Sequence, residues 1–113
     1  MTTITKDIGR GDFILHRYND ERIGCRWTQE FPEGSEPKDL TGWQAALTLE
    51  SDMGEKLAEI ECTCTSDGYV FANIPVETLI SEAFAAYTFG RWRIVGTDGG
   101  STELIAAGNF TVA

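Results

Sequence analysis

The chain has 113 residues, with 18 Asp and Glu against 9 Lys and Arg, for a formal net charge of −9. That length holds one domain with a real core, which excludes two-domain enzymes and large barrels. The acidic field repels phosphate backbones and anionic bilayers, so neither nucleic acid nor a membrane is an expected partner, while 42% hydrophobic residues separate the chain from disordered compositions.

No apolar run approaches the ~20 residues of a membrane span, and Met1–Asp7 has neither the basic start nor the apolar middle of a secretory leader, so synthesis in the cytoplasm is expected. Residues 1–10 read as an extended N-terminal arm. Thr2-Thr3-Ile4-Thr5 has the composition of a strand that adds to a neighbour's sheet edge, the alternative being a frayed end. From Asp12 to Tyr18, Phe13, Leu15 and Arg17 oppose Ile14, His16 and Tyr18, as in an edge strand or a continuation of the arm.

Ile23 to Phe31 places Ile23, Cys25, Trp27 and Phe31 on one face against Arg26, Thr28 and Glu30, which predicts one half-buried strand. Phe31–Asp39 carries Pro32, Gly34 and Pro37 among the acidic Glu33, Glu36 and Asp39, and reads as a solvent-facing loop outside any regular ladder. Trp43–Glu50 alternates most cleanly, with Trp43, Ala45, Leu47 and Leu49 on one face. Asp52-Met53-Gly54 turns the chain into a strand over Leu57–Thr65, where Ala58, Ile60, Cys62 and Cys64 share a face.

Asp67-Gly68 is a hairpin signal leading into Tyr69–Ile74. Pro75 opens Val76–Phe84, where Val76, Leu79, Ile80 and Phe84 recur at helical spacing and predict one short helix. Arg91–Thr97 is a strand, Asp98-Gly99-Gly100 its turn, and Thr102–Ala106 with Asn109–Val112 returns as strand, bent at Gly108. About seven short strands and one helix predict a single antiparallel β-sandwich domain over residues 1–113. Its expected core is Trp27, Leu47, Leu49, Ile60, Val70, Ile74, Leu79, Trp92 and Ile94.

No catalytic, cofactor-binding or metal-binding residue emerges. His16 is the single histidine and reads as a surface imidazole without a zinc or triad partner. Gly9-Arg10-Gly11 and Gly96–Gly100 lack the following helix of a phosphate loop. Glu77 and Glu82 lie on different helix faces, and Asp52, Asp67 and Asp98 read as turn residues rather than calcium ligands. Cys25, Cys62 and Cys64 read as reduced thiols packed like small hydrophobes, with a Cys25–Cys62 or Cys25–Cys64 disulfide as the alternative.

Asp39-Leu40-Thr41-Gly42-Trp43 stands at the start of the cleanest strand. The aspartate can accept backbone N–H bonds two residues on and Gly42 permits positive φ, which together make a corner. These five residues resemble the D-L-T-G-aromatic signature of small tail, neck and baseplate proteins of tailed bacteriophages, a group that includes the N-terminal domain of the phage baseplate upper protein. The likeness extends in order over residues 9 to 113: Gly11-Asp12, the strand at Ile23–Phe31, Pro37, the turn at Asp67-Gly68, Thr78-Leu79, Trp92–Gly96, the turn at Asp98-Gly99, and Gly108–Val112. The charged stretch Phe13–Arg22, with Arg17, Asp20, Glu21 and Arg22, is longer than the pattern needs and reads as a neighbour-contacting insertion.

The resemblance implies an immunoglobulin-like sandwich without catalysis: a structural protein of the virion, built into a symmetric ring or tube as a homo-oligomer and touching other phage virion proteins. The alternative function is a host-surface module that stacks glycans on exposed aromatics, for which solvent exposure of Trp43 or Tyr69 is the discriminating feature.

Overall fold

Short alternating runs between tight turns produce a mostly β architecture, described over residues 9–113 in a computed structural model. The elements are β1 Gly9–Arg10, β2 Phe13–Leu15, β3 Glu21–Arg26, β4 Thr28–Phe31, β5 Gly34–Pro37, β6 Gln44–Ser51, β7 Lys56–Glu61, β8 Thr63–Cys64, β9 Tyr69–Ile74, α1 Val76–Leu79, α2 Glu82–Ala85, β10 Phe89–Asp98 and β11 Ser101–Val112. Six strands form one sheet in the order β1-β11-β10-β6-β7, with β2 also on β11. Three form a second in the order β3-β9-β8, and β4-β5 is a separate hairpin.

Leu47, Leu49, Trp92, Ile94 and Phe110 of the large sheet and Ile23, Val70, Ala72 and Ile74 of the small one belong to a single apolar cluster. Eight of the nine expected core residues are buried there. Ile60 is only partly covered because β7 is an edge strand. Leu15, Leu40, Ala45, Phe84, Ile105, Ala106 and Val112 complete the core.

The predicted strands over 23–31 and 57–65 each divide between sheets, and β1 and β5 are added, so that eleven strands are described against the seven or so expected. Trp27 leaves the ladder because its N–H donates to the Gly68 carbonyl (2.7 Å) while its own carbonyl accepts from Lys38 N–H (2.9 Å). The chain on its N-terminal side pairs with β9, and that on its C-terminal side turns into the hairpin. At Cys62 the chain passes from the β6 ladder to the β9 ladder. Side-chain alternation persists through both crossings.

Phe31–Asp39 is not a plain loop. Pro32 and Glu33 form a two-residue turn, and β4 pairs with β5 from Phe31↔Gly34 to Thr28↔Pro37, so the missing N–H of Pro37 falls at a strand end, where it is tolerated. The single expected helix is two helical turns. Ser81 is extended (φ −69°, ψ 165°), its N–H and hydroxyl both donating to the Thr78 carbonyl (3.2 and 2.6 Å), the group a continuous helix would offer to residue 82.

β1 and β2 run parallel to β11, so the sheet is mixed rather than wholly antiparallel. Of the Asp12–Tyr18 segment only Phe13–Leu15 is an edge strand, with Leu15 buried and Ile14 exposed, and Arg17-Tyr18 already turns. Of the expected arm, Gly9–Arg10 lies on this edge, and residues 1–8 fall outside the described residues. β11 is continuous, its irregularity at Ile105 rather than Gly108, because Ile94 pairs with Ala106 and Val95 with Leu104. Gly108 has a different role: a Cβ there would occupy the position of the Gly11 carbonyl, which accepts from Trp92 Nε1 at 2.9 Å. Among the described residues no helix is long and apolar enough to cross a membrane.

Candidate functional site

The corner ahead of β6 is built by its own residues. Asp39 Oδ1 accepts from the Thr41 N–H (2.9 Å) and hydroxyl (2.6 Å), and these bonds hold its carboxyl below the usual carboxylate range. Trp43 N–H donates to the Leu40 carbonyl (3.0 Å), closing a turn in which Gly42 has φ 85°, the sign that a type II turn requires at this position. Leu40 is fully buried, and its N–H donates to the Thr65 carbonyl (3.1 Å), which ties the corner to the β8–β9 connection.

Trp43 is half-buried, immediately precedes β6 and packs against the apolar core. It meets Trp27 edge to face, with centroids 5.3 Å apart, and the Lys38 ammonium lies 5.2 and 5.6 Å from the Trp27 and Trp43 rings. The other two turns form as expected: Gly68 (φ 87°) ends the connection through Asp67 into β9, and Gly99 (φ 68°) follows Asp98 between β10 and β11. These turns lie apart in chain and sheet. Only Gly68 touches the corner region, through the Trp27 and Lys38 backbone.

The charged stretch before β3 makes internal contacts that the sequence did not signal. Arg17 donates to the carbonyls of Leu79 (3.2 Å) and Phe84 (3.1 Å), satisfying the C-terminal ends of both helical turns, and Asp20 accepts from Val76 N–H (2.8 Å). Glu21 accepts from the His16 N–H and pairs with its ring Nδ1 (2.9 Å each), and the backbone bond is the chief reason its carboxyl titrates low. His16 is thus a surface imidazole with a carboxylate neighbour. Among the described residues no group of three His, Cys, Asp or Glu could hold a metal ion.

All three cysteines are free and partly buried. Cys25 and Cys64 both lie opposite Val70, from the two sides of β9, so two strand spacings, about 9.5 Å, separate their backbones. That exceeds the ~7 Å limit for a disulfide. Burial, then the neighbouring Cys64, Cys25 and Glu61, pushes the Cys62 thiol up to about 12. Burial also raises Cys25 and Cys64, so none favours the reactive thiolate.

The outward face of the small sheet is the most distinctive surface. Tyr69 is 46% exposed with Phe71 two residues along, and the guanidiniums of Arg26 and Arg22 lie over these rings at 4.8 and 4.4 Å. Beside them runs a groove of about 520 Å³ lined by Phe13, Gly24, Cys25, Thr65 and these four residues. No protein-family model matches the chain, and no curated protein matches its sequence.

Proposed function

We propose that the chain is a non-enzymatic structural subunit of a tailed-bacteriophage virion, in the tail, neck or baseplate, acting through protein–protein contacts in a symmetric homo-oligomeric ring or tube. In this reading the two sheets are an immunoglobulin-like sandwich with a parallel edge added by β1 and β2. The subunit touches other phage virion proteins and binds neither nucleic acid nor membrane. The observation that carries the proposal is the Asp39–Trp43 corner: the five residues of the signature form one hydrogen-bonded unit that positions β6 and joins both sheets through Leu40 and the Trp27–Trp43 pair. A free-standing hairpin and uncovered strand edges suit a subunit that completes its contacts in an assembly. Density-gradient purification of particles from cells producing this chain's phage, followed by mass spectrometry, tests it. The chain is expected to band with particles in constant stoichiometry, and recovery only from the soluble fraction overturns the proposal.

The exposed Tyr69 favours a second reading, a glycan-binding surface. Against it, the Arg22 and Arg26 guanidiniums occupy the ring faces that a sugar would stack on. Glycan-array binding that Tyr69→Ala abolishes would reverse this preference.

A further inference from the structure

We infer that the β3 edge, with its Arg22–Arg26 face, receives the acidic β4–β5 hairpin of a second copy of this chain. The inference rests on the assembly reading above and names its homotypic contact. The donor is conspicuous because it pairs with neither sheet: β4-β5 is a two-stranded unit with all of β5 exposed, and an isolated two-stranded hairpin is marginal in water. It carries Glu30, Glu33 and Glu36 and no basic residue from Thr28 to Pro37.

The acceptor has the complementary features. β3 bonds only to β9, which leaves one edge of six residues without a ladder partner among the described residues. Arg22 and Arg26, four residues apart on a strand, project from the same face. Each guanidinium lies over an aromatic ring and bonds a neutral oxygen, Asn73 Oδ1 for Arg22 (2.8 Å) and the Asp67 carbonyl for Arg26 (3.0 Å), and neither has an ion pair among the described residues. Stacking fixes the planar group while leaving further N–H donors for a carboxylate.

Between the arginines, Gly24 keeps the groove floor bare. A Cβ there would stand 2.5 Å from Phe71 Cβ. Strand spacing puts the Arg22 and Arg26 backbones about 13 Å apart; Glu33 in the hairpin turn and Glu36 on β5 are three residues apart and so at most about 11 Å, a difference that long side chains span. The competing basic surface, around Arg91 and Arg93, is less available because Arg93 is already ion-paired with Glu50.

Sedimentation velocity of the intact chain at low and high salt tests the contact, with circular dichroism to establish folding. The wild type is expected to self-associate, more weakly as salt rises. Arg22→Glu/Arg26→Glu and Glu33→Arg/Glu36→Arg should each weaken association at least tenfold, an equimolar mixture of the two should restore it, and Arg91→Glu should leave it unchanged. If either charge reversal misfolds, Arg22→Gln/Arg26→Gln and Glu33→Gln/Glu36→Gln replace it, each expected to weaken association. A chain monomeric at all concentrations, folded reversals that associate normally, or a mixture that stays monomeric overturns the inference. If such a chain still bands with particles, the virion reading stands and only the homotypic contact is lost.

Discussion

Gly42 and Gly108 constrain the chain for different reasons, and substitution separates them. At Gly42 the φ of 85° is the constraint and the space around it is open, so Gly42→Val should cost about 2 kcal/mol of backbone strain. At Gly108 a Cβ collides with the Gly11 backbone beneath the Trp92 hydrogen bond, so even Gly108→Ala should cost about 3 kcal/mol or more. Urea unfolding of both variants checks this order, and a Gly42→Val midpoint equal to wild type would remove the corner argument. Asp39 adds a pH dependence. Its carboxyl is held below its ordinary value of 3.8, so its contribution is fully present above that value and is lost as pH falls through the lowered one. The stability gap between wild type and Asp39→Ala, measured by urea unfolding between pH 7 and pH 3, should therefore narrow only at the acid end. Alkylation by iodoacetamide at pH 8 should be slow in the folded protein and fast in urea, since the raised Cys62, Cys25 and Cys64 thiols carry little thiolate.

The β4–β5 hairpin is the element with least support from the rest of the fold, so local opening there should precede any other. Limited digestion with a glutamate-specific protease should cut first after Glu30 or Glu33, and a first cut after Glu50 of β6 or Glu103 of β11 would show that the hairpin is held. Element positions were mostly legible in the sequence: β6 and β9, and the turns at Asp52–Gly54, Asp67-Gly68 and Asp98–Gly100, fall where alternation and turn chemistry put them. The hairpin was not, because two prolines argue against a ladder unless they occupy the turn and the strand end, which is where Pro32 and Pro37 sit. The helix break at Ser81 was equally hidden, since apolar spacing from Val76 to Phe84 continues across it and only the serine's bonds to Thr78 interrupt it. The candidate corner was read correctly from Asp39 and Gly42, whereas the Arg22–Arg26 face was missed: a strand's outward charges look the same whether or not aromatic rings lie beneath them.

Across the whole molecule, β1 and β2 close the sheet by pairing with β11, about a hundred residues later in the chain. Leu15 is buried at this closure, with Ala113 N–H donating to its carbonyl (2.8 Å), so Leu15→Ala should cost about 3 kcal/mol in urea unfolding. A fold dominated by such distant pairings should refold in milliseconds to seconds, and a microsecond phase carrying the full stopped-flow amplitude would contradict this topology. The amino-acid order by itself determined that the chain is mostly β, where most of its strands and turns fall, and which side chains seek the interior, because period-two alternation and Asp-Gly chemistry act within a few residues. Only the tertiary structure decided which sheet each strand joins, the crossings at Trp27 and Cys62, the parallel edge on β11 and the separation of the β4–β5 hairpin. Those choices are made by lateral backbone hydrogen bonds, which every residue type except proline can offer and which therefore leave no side-chain signature in the sequence.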